Sequence, residues 1–295
     1  MDKLLVIIVT YNGMKWLDKC LSSVVNSSIN ANMFIVDNGS TDGTITFIQE
    51  NFPNATLIIS DTNLGFGGAN NLGIKYALEH GFDYVYLLNQ DAWVEPHTFE
   101  TLILVNKCYA CYGVLSPLQV NKEKTKLDGN FATCCPGKML SDAICGVGLS
   151  KVYDTSFVMA AHWLISRECL KTVGAFSPSF YHYGEDGNYL DRVMYFKKKI
   201  GIVPFCKGVH DREFRPITNQ NRQYKFYTDN LVMLSNPSIR KKYLRLVSRY
   251  LIALFKDYSI INRKYFIKTL CLLVKLSLNL KKSKELCAFI EKQYQ

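Results

Sequence analysis

The sequence contains no run of roughly 18 uncharged apolar residues, the length that a bilayer-spanning helix needs. Lys256, Arg263, Lys264, Lys268 and Lys275 interrupt its apolar C-terminal segments, so no span is expected. Met1-Asp2-Lys3 leads straight into Leu4 to Val9 with no small-residue cleavage site behind it, and the N-terminus reads as a first strand, not a secretory signal. The ten cysteines, including the adjacent Cys134 and Cys135, lack the dense, even spacing of a disulfide scaffold. Reduced thiols, and hence a cytoplasmic protein, are expected. Cys108-x-x-Cys111 with Cys134-Cys135 also lacks the second two-residue spacer by which paired thiolates share a tetrahedral zinc ion.

Acidic residues are scarce in one region only. Of the 35 Lys/Arg and 25 Asp/Glu in 295 residues, fourteen basic and three acidic ones lie from Pro237 onward, net +11; the remaining 21 and 22 leave the first 236 residues at −1. A nucleic-acid enzyme spreads its basic residues along the groove that holds its substrate. Here the excess sits in one terminal appendage, which favours a surface anchor and no nucleic-acid partner. The 48% hydrophobic content is enough for one large core.

The first third has a clear rhythm. Residues 4–9 form a β-branched run of the kind buried on both faces of a parallel sheet, and Leu17, Leu21, Val24 and Val25 then recur at helical spacing. Short apolar runs at 33–36, 57–59 and 84–88 end at Asp37-Asn38-Gly39-Ser40-Thr41-Asp42, Asp61-Thr62-Asn63-Leu64-Gly65 and Asn89-Gln90-Asp91, with a helix expected after Asn70. This β-α-β-α-β-α-β alternation predicts a doubly wound sheet whose ligands bind beyond the carboxyl ends of its strands, where the polar clusters fall. From about residue 106 to 220 the pattern weakens. Beyond Ser235, Tyr243, Val247, Tyr250, Leu251 and Leu254 share one helical face and Lys241, Arg245 and Arg249 another; Ile260 to Leu280 continues similarly.

Several residues suit chemistry at such a sheet mouth. A carboxylate at a strand end, as at Asp37, accepts hydrogen bonds from a ribose or a base edge; capping of the next helix is the alternative for Asp37 and Asp42. Asp91 suits a hard cation, Mg²⁺ or Mn²⁺, bridged to a diphosphate. Asn63-Leu-Gly65-Phe-Gly67-Gly68-Ala69-Asn70 offers backbone amides at a helix start, without the lysine of a phosphate-binding P-loop. Glu185 and Asp186 are adjacent acids whose repulsion and partial burial raise a pKa toward the range of a general base. His210 follows a strand-like segment beginning at Ile202.

Taken in order, VTYNG, VDNGSTDGT, NLGFGGANNLGI, LLNQDAWV, VGAFSPSFYHYGEDGNYLDR and the later lone histidine resemble the family 2 glycosyltransferases, within them the rhamnosyltransferase-like bacterial branch, over residues 4 to 235. The resemblance implies a GT-A fold: a doubly wound mixed α/β sheet with C-terminal helices. Residues 1–105 would form the nucleotide-sugar half, 106–235 the acceptor-binding and catalytic half, and 236–295 basic amphipathic helices. It implies that Thr10, Tyr11, Asn12, Asp37, Asn38 and Asp42, with Asn63, Gly65, Asn70, Asn89 and Gln90, hold a nucleotide-diphosphate sugar such as dTDP-rhamnose or a UDP-hexose. Asp91 matches the last acid of the family's metal motif, with Asn89 in place of the first, and His210 matches a histidine that completes the metal shell. Asp186 matches the catalytic base, assisted by Glu185; Asn188 stands where a further acid is usual. The implied activity is inverting transfer to a glycan or lipid-linked glycan in surface polysaccharide synthesis, by an enzyme peripheral on the inner face of the cell membrane. Trp93, Trp163, Tyr181 and Tyr183 are candidates for stacking on sugars. The rivals are a nucleotidyltransferase and a non-catalytic glycan- or membrane-binding relative; for the basic helices, a lid or a homodimer contact.

Overall fold

An apolar β-branched run is most stable where both its faces are covered, and Leu4–Thr10 lies inside a nine-stranded sheet with helices on either side. The computed structural model describes residues 2–212 and 218–278. Its elements are β1 (Leu4–Thr10), α1 (Met14–Val25), β2 (Ala31–Asp37), α2 (Thr44–Asn51), β3 (Thr56–Ile59), α3 (Gly65–Glu79), β4 (Tyr84–Asn89), β5 (Ala92–Val94), α4 (Thr98–Cys108), β6 (Tyr112–Val120), α5 (Gly129–Ala132), α6 (Gly137–Ile144), β7 (Tyr153–Thr155), β8 (His162–Ser166), α7 (Arg167–Val173), α8 (Glu185–Tyr195), β9 (Lys199–His210), α9 (Asn219–Ser235), α10 (Lys242–Lys256) and α11 (Arg263–Leu278).

The strand order is β3-β2-β1-β4-β8-β6-β9-β5, with β7 paired to the first half of β9. Strands β1 to β4 are parallel neighbours joined by α1, α2 and α3, as the rhythm of the first third predicts. Alternate residues of β1 serve two cores. Leu4, Val6 and Ile8 pack with Leu17 and Leu21 of α1, Ile48 of α2 and Phe99 and Leu102 of α4. Leu5 and Ile7 face Ala69, Ile74 and Ala77 of α3 and join Leu170 of α7 and Leu190 of α8. Each such side chain contributes about 1.5–3 kcal/mol by leaving water.

Past residue 106 the sheet turns mixed. Strand β8 runs antiparallel between β4 and β6, and β6 is parallel to β9. The pairing of β6 with β9 slips between Pro117 and Leu118, passing from Val203 to Lys207, so β9 is bulged and its last four residues continue in a new register. That segment lies between the end of β6 (Val120↔Val209) and β5 (Ala92↔His210). The start of β5 and the end of β9 thereby meet at one corner of the sheet.

Helix α9 is tied to α8 by the Asn188 amide donating to the Ser235 hydroxyl, 3.0 Å, and α10 to α9 by Arg249 Nε donating to Asn230 Oδ1, 2.6 Å. The face of α10 that packs inward carries Leu246 and Ala253, with Tyr250 against Phe226 and Phe266. Tyr243, Val247, Leu251 and Leu254 are exposed, and Phe255 almost fully so. Polar Arg249 is drawn inward instead because Asn230 accepts from it. Part of the expected segment ending at Leu280 lies outside the described residues. Among the described residues no helix is long and apolar enough to cross a membrane, and all nine described cysteines are free.

Candidate active site

Three loops at the carboxyl ends of β1, β2 and β4 are laced by their own side chains. Asp37 is fully buried: Oδ1 accepts from the amides of Gly39 and Ser40, and Oδ2 from the hydroxyls of Thr10 (2.8 Å) and Ser40 (2.5 Å). Asp42 accepts from the amides of Met14 and Thr44 and from the Thr44 hydroxyl, so it serves the first turns of both α1 and α2. Burial works to raise its carboxyl, but the hydrogen bonds of Thr44 and Met14 hold it below its ordinary value. The helix-capping alternative is therefore realised at Asp42, while Asp37 closes its own turn. Asn12, in a left-handed backbone conformation (φ 48°), donates its amide to Ser40 Oγ and accepts from the Thr41 amide. The Gln90 side chain clamps both backbone groups of Tyr11, whose ring is half-exposed.

The glycine-rich segment is the first turn of α3, not a loop before it. Asn38 Oδ1 accepts from the Leu64 amide, Asn63 Oδ1 from the Gly65 amide, and Asn70 turns its Nδ2 back onto the Phe66 carbonyl. Gly65 has φ +72°, and a Cβ there would overlap the carbonyl oxygen of Tyr181. Only glycine lets this turn meet the 181–184 segment, which is fastened again by the Tyr181 hydroxyl donating to the Asn63 carbonyl, 3.1 Å.

That fastening places the acid pair. Tyr183 (φ 63°) and Gly184 (φ 90°) are both left-handed, a sharp turn that starts α8 at Glu185. Glu185 is 8% exposed with Oε2 buried and unpartnered. Burial, reinforced by the neighbouring Asp186 charge, pushes its carboxyl up to about 7. Burial also raises Asp186, against hydrogen bonds from the Gly187 amide and its own. Asn188 is buried between Ser235 and Arg192. Arg192 donates in addition to the carbonyls of Val173 and Ala175, which fixes the underside of α8.

At the β5/β9 corner, His210 Nε2 lies 3.4 Å from Asp91 Oδ1. Burial works to raise the Asp91 carboxyl, but the hydrogen bond and charge of His210, with Arg212 behind, hold it below its ordinary value. On the other side of the ring, Nδ1 lies 3.3 Å from Arg212 Nη2 and 3.9 Å from Asp128 Oδ2. Asp128 is 4% exposed and was unmarked in the sequence, which shows only a charged turn before it. The Cys134 thiol is raised first by burial and then by the charges of Asp186 and Asp128.

Among the described residues no three His, Cys, Asp or Glu side chains are grouped to hold a metal. Asp91 and His210 bring one carboxylate and one imidazole side by side. A carboxylate and an imidazole leave most of an octahedral shell to water and phosphate oxygens, the manner in which Mg²⁺ is commonly held. The donor set fits a cation that arrives with a diphosphate and does not fit a resident structural ion. Trp163 is removed from the sugar-stacking candidates: it is fully buried, stacked on Phe176, with Nε1 donating to the Val158 carbonyl. Tyr181 and Tyr183 remain exposed, and Trp93 lies under the Lys19 ammonium.

Comparison with known proteins gives a consistent picture. Residues 5–128 match the family described as Glycosyl transferase family 2. The low-salt glycan biosynthesis hexosyltransferase Agl10 of Haloferax volcanii is 24% identical over 273 residues, 89% of this chain and 85% of that protein. The N-acetylglucosaminyl-diphospho-decaprenol L-rhamnosyltransferase of Mycobacterium tuberculosis is 30% identical over 126 residues, 40% of this chain and 41% of that one. Two far longer relatives are spanned over only 13% and 14% of their length. Among solved structures, GalNAc-T7 with UDP, GalNAc and Mn²⁺ superposes with a TM-score of 0.59 at 12% identity, over 77% of this chain and 47% of that one, a likeness of fold alone.

Proposed function

From the premise that this chain carries a family 2 glycosyl transferase domain over residues 5–128 on a GT-A fold, we propose that it moves a sugar from a nucleotide diphosphate to an acceptor hydroxyl with inversion. Residues 1–105 hold the donor and 106–235 present the acceptor. Thr10, Asp37, Asn38, Asp42 and Gln90 shape the donor floor from within. Tyr11, Asn12, Asn63 and Asn89 face the nucleotide, and Gly65 and Asn70 set the turn beneath the phosphates.

Asp186 takes the proton of the acceptor hydroxyl while that oxygen bonds the anomeric carbon. The bond from that carbon to the diphosphate oxygen breaks on the opposite face, and its electron pair leaves with the nucleoside diphosphate. Glu185, whose carboxyl is raised to about 7, keeps a second negative charge away from the base below that pH, where it is protonated. Asp91 and His210 would hold Mg²⁺ or Mn²⁺, which would supply positive charge to offset that growing on the leaving diphosphate. The acceptor is a glycan, or a lipid-linked glycan of surface polysaccharide synthesis, and dTDP-rhamnose and UDP-hexoses are the first donors to test. The names of the mycobacterial and haloarchaeal relatives support this choice. The exposed apolar side chains of α10, flanked by Lys241, Arg245 and Lys256, favour attachment to an anionic bilayer surface, each cation adding on the order of 1 kcal/mol.

The observation that carries the reading is the Gly65–Tyr181 approach, which sets the acid pair of α8 against the donor-side turn. Its test is a panel of sugar nucleotides, scored for Mn²⁺- or Mg²⁺-dependent hydrolysis and thermal stabilisation. Asp91→Ala is expected to weaken donor binding, and Asp186→Asn to spare binding while abolishing transfer. Equal donor binding by wild type and Asp91→Ala would remove the metal assignment.

A further inference from the structure

We infer that Asp128 is a positioning residue that sets the ring tautomer of His210 and so makes the Asp91–His210 pair competent to take a cation. The inference rests on the cation reading of that pair. Its basis is the two-sided setting of a buried imidazole. One ring nitrogen, Nε2, faces Asp91 Oδ1 at 3.4 Å; the other, Nδ1, faces Asp128 Oδ2 at 3.9 Å and Arg212 Nη2 at 3.3 Å. Arginine only donates. While Arg212 points at Nδ1, the ring proton therefore sits on Nε2 and is given to Asp91. A cation can bind Nε2 only as a lone pair, so the proton must move to Nδ1, where it needs an acceptor.

Asp128 is the carboxylate placed to supply one. Its second oxygen is held by the Arg212 Nε at 3.2 Å, while its first caps α5 by accepting from the amides of Asn130 (3.1 Å) and Phe131 (2.9 Å). The fold fixes it there: Val120 pairs with Val209 on one side and with Leu127 on the other, and the Asp128 amide donates to the Gln119 carbonyl at 2.9 Å. Asp128 thus belongs to the turn that follows β6, folded back along β6 beside the end of β9. Arg212 and the Nδ1 proton compete for the same oxygen. Carboxylates that accept from a metal-ligating histidine typically govern affinity by 10- to 100-fold, about the effect expected here.

The experiment titrates Mn²⁺ into the full chain, alone and with UDP or dTDP, counting free ion by electron paramagnetic resonance. The proteins are wild type, Asp128→Asn and Arg212→Gln. Asparagine keeps an oxygen for the α5 cap but puts an NH₂ group where the acceptor was. Expected is a loss of Mn²⁺ affinity of about 10-fold or more in Asp128→Asn, with Arg212→Gln binding Mn²⁺ alone no more weakly than wild type. In parallel, the ring ¹⁵N shifts of His210 are expected to report the Nε2–H form in the metal-free wild type and Nδ1–H once diamagnetic Cd²⁺ is added. Undiminished Mn²⁺ affinity in Asp128→Asn overturns the inference and leaves the Asp91–His210 pair standing. Failure of wild type to take Mn²⁺ under any of these conditions overturns both. Equal losses in the two variants assign Asp128 and Arg212 to scaffolding and also overturn it.

Discussion

Replacing Glu185 by glutamine should stabilise the protein, and by an amount that grows with pH. The wild-type carboxyl is raised from 4.5 to about 7, first by burial and then by the Asp186 charge. The folded state therefore binds the proton more tightly than the unfolded chain. Stability from this proton is fully present below pH 4.5 and is lost as pH rises toward 7, because the unfolded state releases it first. At about 1.4 kcal/mol per pKa unit, ionising Glu185 in the native state costs about 3 kcal/mol. Glutamine imitates the protonated acid in shape and carries no charge, so that cost disappears. Denaturant melts at pH 5 and pH 8 measure it: the advantage of Glu185→Gln over wild type is expected to be under about 1 kcal/mol at pH 5 and about 3 kcal/mol at pH 8. Titrating groups not coupled to Glu185 act on both proteins alike and cancel in the difference. An advantage that stays flat across this window, or a variant less stable than wild type at pH 8, would refute the burial argument.

Gly65→Ala should cost about 1–3 kcal/mol in the same assay and depress transfer, since its Cβ cannot coexist with the Tyr181 carbonyl at φ +72°. Tyr86→Phe should cost about 1–3 kcal/mol in a denaturant melt: with His162 Nε2 at the Val209 carbonyl, its Nδ1 accepts from the Tyr86 hydroxyl, and both residues are buried, the imidazole held neutral with a pKa near 3 by that burial. Leu251→Asp with Phe255→Asp should abolish sedimentation with anionic vesicles at low salt while leaving thermal stability unchanged, because both side chains are exposed. Vesicle binding that persists in this variant would remove α10 as the attachment surface.

What the sequence disclosed follows from how local each signal is. The run at residues 4–9 and the short runs after it encode buried parallel strands in their own composition, and each ends at a polar cluster that marks the sheet mouth. Asp91, Glu185, Asp186 and His210 stood out because acids or a histidine at an element's end are conspicuous. Asp128 did not, because nothing in Lys126-Leu127-Asp128-Gly129 distinguishes a cap from a ring-orienting acceptor; only the parallel pairing of β6 with β9 brings it to His210. Strands β5 and β7, three residues each, are too short to leave a period. The same limit explains α10. Its amphipathic pattern is real, yet periodicity identifies a face without saying whether protein or another phase will cover it, and here the core took Leu246 and Ala253.

The bonds from Asn188 to Ser235 and from Asn230 to Arg249 carry an implication for engineering. They join the helix bearing the two acids, through α9, to the helix with the outward apolar stripe. Any transplant meant to retarget the protein by exchanging its C-terminal tail must therefore cut upstream of Thr218 and import α9 along with α10. A graft spliced at the 236–241 linker would leave Asn230 and its new neighbour mismatched, and that mismatch would be transmitted to the turn that starts α8.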